Sequence, residues 1–585
     1  MDNLTIARLL EETASLLEID AADPFRIRSY HRAAEAIQQQ TTQLETLVHD
    51  PKALLAIPGI GKGMATNVVD LVTTGTMPIR AELLAKYSPT LLELLNLPGM
   101  GPKTVALVWS ALGVTDIDSL EAAAKVGHLD DLPRLGKKFT DKLLKGIQDY
   151  RSNSSRFRID LAAEYAAKIS ALIHAFPGID QVTPAGSLRR GRDTVGDLDL
   201  LVTGPACEPA IVAAAVEHVA TLPLIHKLLA KGQNKVAFTL ENNLQVDVRL
   251  LPRASYGAAL QYFTGSKMHS VALRQRALKQ GLTLSEYALA RLDDNSIVAA
   301  KSEEDIYNAL GLDYIPPELR ENSGEIEAAE SHSLPHLITL KDIRGDLHMH
   351  TDATDGRDTI RQMAQAALDR GLHYIAITDH SKALAMTNGL DDRRALAHIQ
   401  RIREVDAEFQ QQHDGKFRIL PGIEVDILAD GSLDLDDSTL AQMDIVIASV
   451  HSHFNQPLQE MTDRVLRAIE NPHVRILGHP TGRLVLKREP FAINLDTVLR
   501  RAAQLGVAVE HNAHPARADL NDLNLRLAKQ LGCKIVVNTD AHSTEDLDIM
   551  RFGITQLRRA WLTPQDLLNH HPTAKSLLTH LRPKP

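Results

Sequence analysis

Apolar residues recur at intervals of three and four at the start of the chain, as in Ile6, Leu9, Leu10, Ala14 and Leu17, and this helical period persists from Asn3 to about Tyr150. Beyond Phe157 the period changes. Runs with every second residue apolar, such as Leu244-Gln245-Val246-Asp247-Val248-Arg249-Leu250, mix with helical segments to about Leu251 and predict an α/β domain. A second mixed region follows to about Leu312. The proline-marked Ile315-Pro316-Pro317-Glu318 and the polar, acidic stretch that continues to Ser333 read as a linker. After it come short unbroken apolar runs, among them Tyr374-Ile375-Ala376-Ile377 and Ile445-Val446-Ile447-Ala448, separated by helical segments. That pattern predicts repeated βα units and a parallel sheet buried on both faces. The boundaries taken from these changes are 1–85 and 86–150 for two helical subdomains, 151–251 and 252–315 for the mixed regions, 316–338 for the linker and 339–585 for the last domain.

A phrase repeats inside the helical region. Leu55-Ala56-Ile57-Pro58-Gly59-Ile60-Gly61-Lys62 returns as Leu95-Asn96-Leu97-Pro98-Gly99-Met100-Gly101-Pro102-Lys103, with Gly59 and Gly99 separated by 40 positions. Each copy reads as a helix, a tight glycine hairpin and a second helix, whose first N–H groups can hold a DNA phosphate without reading bases. Both copies look like helix-hairpin-helix motifs, which makes Gly59, Gly61, Gly99, Gly101 and Lys103 the expected DNA contacts. Leu132-Pro133-Arg134-Leu135-Gly136-Lys137 is a degenerate third copy, with arginine where the first glycine would be.

Composition adds bounds. A chain of 585 residues is too long for one core. Two cysteines, Cys207 and Cys533, make neither a disulfide framework nor a thiolate zinc site and suit a reducing compartment. No apolar stretch is long enough to span a bilayer, and Met1-Asp2-Asn3-Leu4 lacks a signal-peptide pattern, so no membrane partner and a cytoplasmic location are expected. The formal net charge of -10 argues at face value against nucleic acid. Carboxylates that hold metals are counted in that sum, however, and are neutralised when they do so. The 25 histidines crowd the last part of the chain, which points to metal.

Asp197 and Asp199 lie two apart in an apolar run, so a strand would turn both carboxylates to one face, where they can share a pair of magnesium ions. Gly186-Ser187 precedes them, with N–H groups and a hydroxyl suited to a triphosphate, and Arg189 and Arg190 add positive charge. Asp247, in the alternating run quoted above, supplies a third carboxylate. The ungapped Gly-Ser-x-Arg-Arg-Gly-x4-Gly-Asp-x-Asp over Gly186 to Asp199 resembles the nucleotidyltransferase superfamily and, within it, the family X DNA polymerases. Tyr262-Phe263-Thr264-Gly265-Ser266-Lys267 looks like that family's segment at the palm–thumb junction. The resemblance implies an α/β palm over 151–251 and a mixed thumb over 252–315. It also implies Mg²⁺ on Asp197, Asp199 and Asp247, and a nucleotide held by Gly186, Ser187, Arg190, Gly196, Tyr262, Phe263, Gly265 and Arg274. Two positions depart from it. Ser270 stands where many members carry asparagine, and Asn67 stands where some carry the lysine of a lyase, whose imine an amide cannot form.

In the last domain Asp346-Leu347-His348-Met349-His350 places two histidines on one face of a strand end. Asp355, Asp379-His380, Glu424-Val425-Asp426, His451, His479 and Asp540-Ala541-His542 follow, mostly after apolar runs. The C-terminal strand ends of a parallel barrel share one face, where such residues converge. A set of imidazoles and carboxylates without thiolate suits Mn²⁺, Zn²⁺ or Fe²⁺. This region resembles the polymerase and histidinol phosphatase (PHP) domain, a distorted (βα)7 barrel holding three metal ions. The resemblance assigns ligands at His348, His350, Asp355, His380, Glu424, His451, His479, Asp540 and His542, and implies Mn²⁺ or Zn²⁺ and metal-assisted phosphoester hydrolysis. Arg483 is placed to clamp a substrate phosphate. Asp379, Asp426, His453, Glu510, His511 and His514 are read as supporting or surface residues.

In order, these parts are those of bacterial family X polymerases. The expectation is a monomeric DNA repair polymerase that fills gaps or nicks with deoxynucleoside triphosphates, with a 3′-5′ exonuclease, 3′-phosphatase or abasic-site endonuclease in the barrel. A non-templated nucleotidyltransferase would need neither hairpins nor thumb. A polymerase whose barrel is only structural would not need all nine ligands.

Overall fold

Four helices of the N-terminal part open on a proline, at Pro24, Pro51, Pro78 and Pro102, where its fixed φ suits the first turn and its missing N–H is not needed. Two of the longer helices, Lys62–Thr74 and Pro102–Leu112, end on a left-handed glycine, Gly75 and Gly113. Their apolar faces meet in one cluster that includes Ile6, Leu10, Leu17, Tyr30, Val68, Leu71, Leu91, Leu94, Val105 and Leu143. This computed structural model describes residues 3–38, 44–48, 50–57, 59–88, 90–95, 97–133, 135–153, 156–384 and 387–583. Pro58, Asn96 and Arg134 of the hairpin phrases lie outside the described residues. The chain divides into two units, Met1–Ser155 and Arg156–Pro585.

The second unit begins with a five-stranded sheet in the spatial order Gln181–Pro184, Asp197–Thr203, Gln245–Leu251, Lys235–Thr239, Lys227–Lys231. Only the pair Asp197–Thr203 and Gln245–Leu251 runs parallel. Helices Ile159–His174 and Val212–Ala220 contribute Ala162, Ala166, Ile169, Ala215 and Val219 to the core against Leu198, Leu200, Val246 and Val248. Two helices, Tyr256–Thr264 and Lys267–Lys279, lead into a small antiparallel sheet and the helix Glu303–Ala309.

The segment 316–338 is not a linker. Its residues Leu319, Ile326, Ala329 and Leu337 belong to the same apolar cluster as Leu273, Ile306 and Leu310. Its acids have partners: Glu325 lies 2.6 Å from His269 with both buried, and Glu318 meets Arg558 at 2.7 Å. Composition read it as a linker because those partners are distant in sequence.

The last domain is a seven-stranded parallel sheet in sequence order: Gly345–Asp346, Tyr374–Ile377, Arg418–Asp426, Ile445–Ser449, Ile476–Leu477, Ala508–Asn512 and Ile535–Asn538. Leu347, Ala376, Leu420, Ile447, Ile476, Ala508 and Val536 share one cluster, to which Leu568, Leu577 and Leu581 of the following segment also belong. A parallel bridge between Met349 and Ala541 nearly closes the ring at one end. At the other, the Asn569 amide stitches first strand to last, donating to Gly345 O (2.9 Å) and Val537 O (2.8 Å) and accepting from Val537 N (2.8 Å).

Candidate metal centres and nucleic-acid interface

Strand alternation buries Leu198 and Leu200 and turns Asp197 and Asp199 to the opposite face. The parallel register sets Asp199 opposite Asp247, so three carboxylates converge. Burial, reinforced by Asp197 and Asp247, pushes Asp199 up to about 7. A divalent cation relieves this crowding of like charge. Lys235 Nζ lies 2.5 Å from Asp247 Oδ1, and Gln245 donates to its Oδ2 at 2.7 Å. Gly186 has a left-handed φ of 57°, and a Cβ there would collide with Asp199 Oδ2, so glycine is needed both for the turn and for the carboxylate beside it.

Tyr262 and Phe263 sit edge to face, with ring centroids 5.0 Å apart. Arg274 lies over Tyr262 (5.8 Å) and Arg249 over Phe263 (4.3 Å), linking this aromatic step to the strand that carries Asp247. Gly265 follows with φ 68°. Ser270 is buried, with an Oγ that has no hydrogen-bond partner among the described residues.

The two arginines expected to lend charge to a triphosphate are engaged elsewhere. Arg189 grips both carboxylate oxygens of Glu303 at 2.9 and 2.7 Å. Arg190 bonds Glu321 Oε1 (3.1 Å) and Thr264 O (2.5 Å), an arrangement no local spacing announces because Glu321 lies 131 residues away. Gly196 lies beside Arg156.

In the barrel all nine sequence-assigned ligands come together at the strand ends. Glu424 is central: its Oε2 lies 2.9 Å from His380 Nδ1, 3.4 Å from His348 Nε2 and 3.7 Å from His350 Nε2. Its Oε1 lies 3.0 Å from His479 Nε2 and 3.3 Å from His451 Nε2. Asp540 Oδ1 is 3.0 Å from His350 Nε2. Asp355 Oδ2 is 3.5 Å from His380 and 3.4 Å from His542, on the side open to solvent. Three overlapping groups could each hold a cation: His350, Asp355, His380 and His542; His348, His350 and Glu424; His380, Glu424 and His451. The donor set also fits metal on a second count. His348 Nε2, His350 Nδ1, Glu424 Oε2, His451 Nε2 and His479 Nδ1 are buried without a hydrogen-bond partner among the described residues, a costly state that coordination removes. Burial alone would raise Glu424, but the charges of His451, His348 and His380 hold it well below the carboxylate range.

Behind the ligands stands a supporting layer. Glu510 lies 2.7 Å from His348 Nδ1 and accepts from His479 N (2.7 Å) and Asn538 (2.9 Å). Asp426 meets His451 Nδ1 at 3.2 Å. Such contacts fix which ring nitrogen is left for a metal. Asp379 accepts from Thr351, Thr354 and His398, shaping the loop before Asp355; sequence reading did not single out His398. His511 is buried against Leu520 O and takes no part in the three groups. Arg483 is not a clamp over the cluster: it donates to Asp193 Oδ2 and Arg517 O, both at 2.9 Å.

The two N-terminal hairpins have the same geometry. Ile60 N donates to Ile57 O and Met100 N to Leu97 O, both at 3.1 Å, around left-handed Gly59 and Gly99. Gly61 and Gly101 cap the following helices with negative φ and open space where a Cβ would lie. Among the described residues nothing lies within 4 Å of a Cβ at either position. Lys62 and Lys103 are exposed beside them. Asn67 donates to the Tyr30 hydroxyl at 2.7 Å.

Known families match parts of the helical unit, the segment after the palm sheet and the barrel. A helix-hairpin-helix domain family matches residues 1–77, a SAM-like helix-hairpin-helix tandem 91–149, a DNA polymerase beta thumb 259–321 and a PHP domain 346–512. DNA polymerase lambda of Rattus norvegicus is 25% identical over 343 residues, 54% of this chain and 56% of its own length. A probable phosphatase of Thermoanaerobacter sp. (strain X514) is 29% identical over 235 residues, 38% of this chain and 89% of its own length. The DNA polymerase/3′-5′ exonuclease PolX of Bacillus subtilis (strain 168) is 38% identical over 571 residues, 97% of each chain. The alignment thus runs along nearly the whole length of both chains, and with hairpin, thumb and PHP matches in this one, the chain belongs to the PolX family of DNA polymerase/3′-5′ exonucleases.

Proposed function

We propose that the palm adds deoxynucleotides to the 3′ end at a gap or nick in DNA, and that the barrel removes 3′ nucleotides or phosphates, or cuts at abasic sites, before or between additions. The observation that carries this reading is the presence in one chain of two separate clusters, the Asp197–Asp199–Asp247 carboxylates and the nine-residue set around Glu424. Oxygen-only ligands favour Mg²⁺ in the palm, and mixed imidazole and carboxylate ligands favour three Mn²⁺ or Zn²⁺ ions in the barrel. Bound ions supply Lewis-acid stabilisation of the phosphoryl groups at both places. Asp247 would hold the ion beside the primer 3′ oxygen and help activate it, while Gly186 and Ser187 hold the triphosphate through N–H and O–H donors, joined by Arg190 once it leaves Glu321. Tyr262, Phe263 and Gly265 seat the sugar, and Arg274 faces the template. Gly59, Gly61, Gly99, Gly101 and Lys103 hold DNA phosphates independently of sequence. The protein acts as a monomer, which sedimentation would check.

The test is extension into a one-nucleotide gap, run beside Mn²⁺-dependent digestion of a 3′ end. Asp247→Ala should abolish extension and spare digestion, and His348→Ala should do the reverse. Loss of both activities in either variant would refute two separate sites. Extension without a template would favour the non-templated alternative, and absence of digestion in the unaltered protein a purely structural barrel.

A further inference from the structure

The palm loop between the Gly186–Arg189 turn and the strand at Asp197 is held from the barrel. Arg559, 3% exposed, donates from Nη1 to the Arg190 carbonyl (2.8 Å) and to Glu321 Oε1 (2.9 Å), and its Nη2 pairs with Asp522 of the barrel at 2.7 Å. Gln556, one turn earlier, donates to Gly191 O at 2.7 Å. Gly191 has φ 69°, and a Cβ on it would collide with Thr555, so the helix Met550–Arg559 lies directly against the loop backbone. Two residues on, Asp193 accepts from Arg483. Barrel side chains therefore fix Arg190, Gly191 and Asp193. The loop then runs into Thr194–Val195, which pairs with Phe157–Arg158, and on to Asp197 and Asp199.

One oxygen, Glu321 Oε1, takes both Arg190 Nε and Arg559 Nη1. Two guanidinium groups thus share one carboxylate oxygen, and the positive charge of Arg559 offsets part of the attraction that holds Arg190 to Glu321. A triphosphate that draws Arg190 away leaves the half-buried Glu321 still paired with Arg559, so its carboxylate keeps a partner.

We propose that Arg559 of the barrel is a positioning residue for nucleotidyl transfer: by holding the Arg190–Asp193 loop and sharing Glu321, it keeps the Arg190 guanidinium available to the incoming deoxynucleoside triphosphate. The barrel is then a part of the polymerase site as well as the seat of hydrolysis. This rests on the reading that the palm carries nucleotidyl transfer. If the unaltered protein fails to extend a gap, that reading falls; if it extends and the variants match it, only the present inference falls.

The test uses the full-length protein, with KM for the nucleotide and kcat measured separately during gap filling. Arg559→Met should raise KM by about tenfold, the cost of a lost charge-assisted contact, with a smaller change in kcat and with 3′ digestion unchanged. Adding Glu321→Gln, which weakens the competing hold on Arg190, should bring KM back toward the unaltered value, a rescue that simple loosening of the fold would not give. An unchanged KM in Arg559→Met, no recovery in the double variant, or a parallel loss of digestion would each overturn the inference. Should Arg559→Met fail to fold, Asp193→Asn cuts the more exposed Arg483 tie to the same loop. A raised KM with intact digestion would then support the inference, and an unchanged KM would overturn it.

Discussion

Asp199 stands directly across from Asp247 on the neighbouring parallel strand, and the backbone of Gly186 packs against the Asp199 carboxylate. Replacing Gly186 by alanine would force that carboxylate to move and strain a left-handed turn. Displacement of a reacting group by about 1 Å can cost about a hundredfold in rate. Gly186→Ala should therefore lower kcat for gap filling on that scale while leaving 3′ digestion intact, as primer-extension and digestion assays on one preparation would show.

Glu510 touches no expected metal directly but bonds His348 and the backbone of His479. Burial would raise its pKa, yet the charge of His348 holds it below the usual range, so it is an ionised acceptor for the His348 N–H. Glu510→Gln should weaken metal affinity in the barrel by about 10- to 100-fold. A Mn²⁺ titration of 3′ digestion should shift by that factor, and gap filling should not change.

Glu303 lies between Arg189 and Arg320. Burial opposes its charge, but the two arginines overcome this and lower it to about 2. A depressed carboxylate contributes stability that is present above its unfolded pKa and is lost as pH falls through its folded one. Glu303→Gln should therefore unfold more easily at pH 7, by about 3 kcal/mol. The gap between variant and unaltered protein in urea melts should shrink as pH falls from about 4.5 toward 2. A gap that grows on acidification would contradict the assignment.

Burial pushes the Cys207 thiol up to about 11 and Cys533 up to about 12. Thiolate is the reactive form, so neither cysteine should react with a chromogenic disulfide reagent at pH 8 until denaturant is added.

How much of this was legible in sequence follows from distance along the chain. The Asp197–Asp199 pair, the Gly186 turn and the His348–His350 pair are local, fixed by strand alternation and short spacing, whereas the nine barrel positions that the structure brings together were assigned through the family resemblance. The Glu318–Arg558, Glu321–Arg559 and Asp193–Arg483 ties span more than two hundred residues each and leave no periodic trace. For that reason Arg190 and Arg483 read as phosphate ligands, and the segment from Pro316 to Ile338 read as a linker. An acidic, proline-marked stretch looks the same in sequence whether its carboxylates face water or arginines.

Asn569 ties the first barrel strand to the last from a position well beyond both. Ribosomes deliver the chain from its N-terminus, and domains tend to fold as they emerge. The hairpin unit and the palm sheet are thus complete in the nascent chain while the barrel still lacks its pin. A message truncated between Asn538 and Asn569 would encode every ligand up to Asn538 and an intact palm, yet release a ring with no clasp. Where the stop also removes Arg559, a lesion confined to the end of the gene reaches the otherwise complete polymerase half through the lost contact with Arg190.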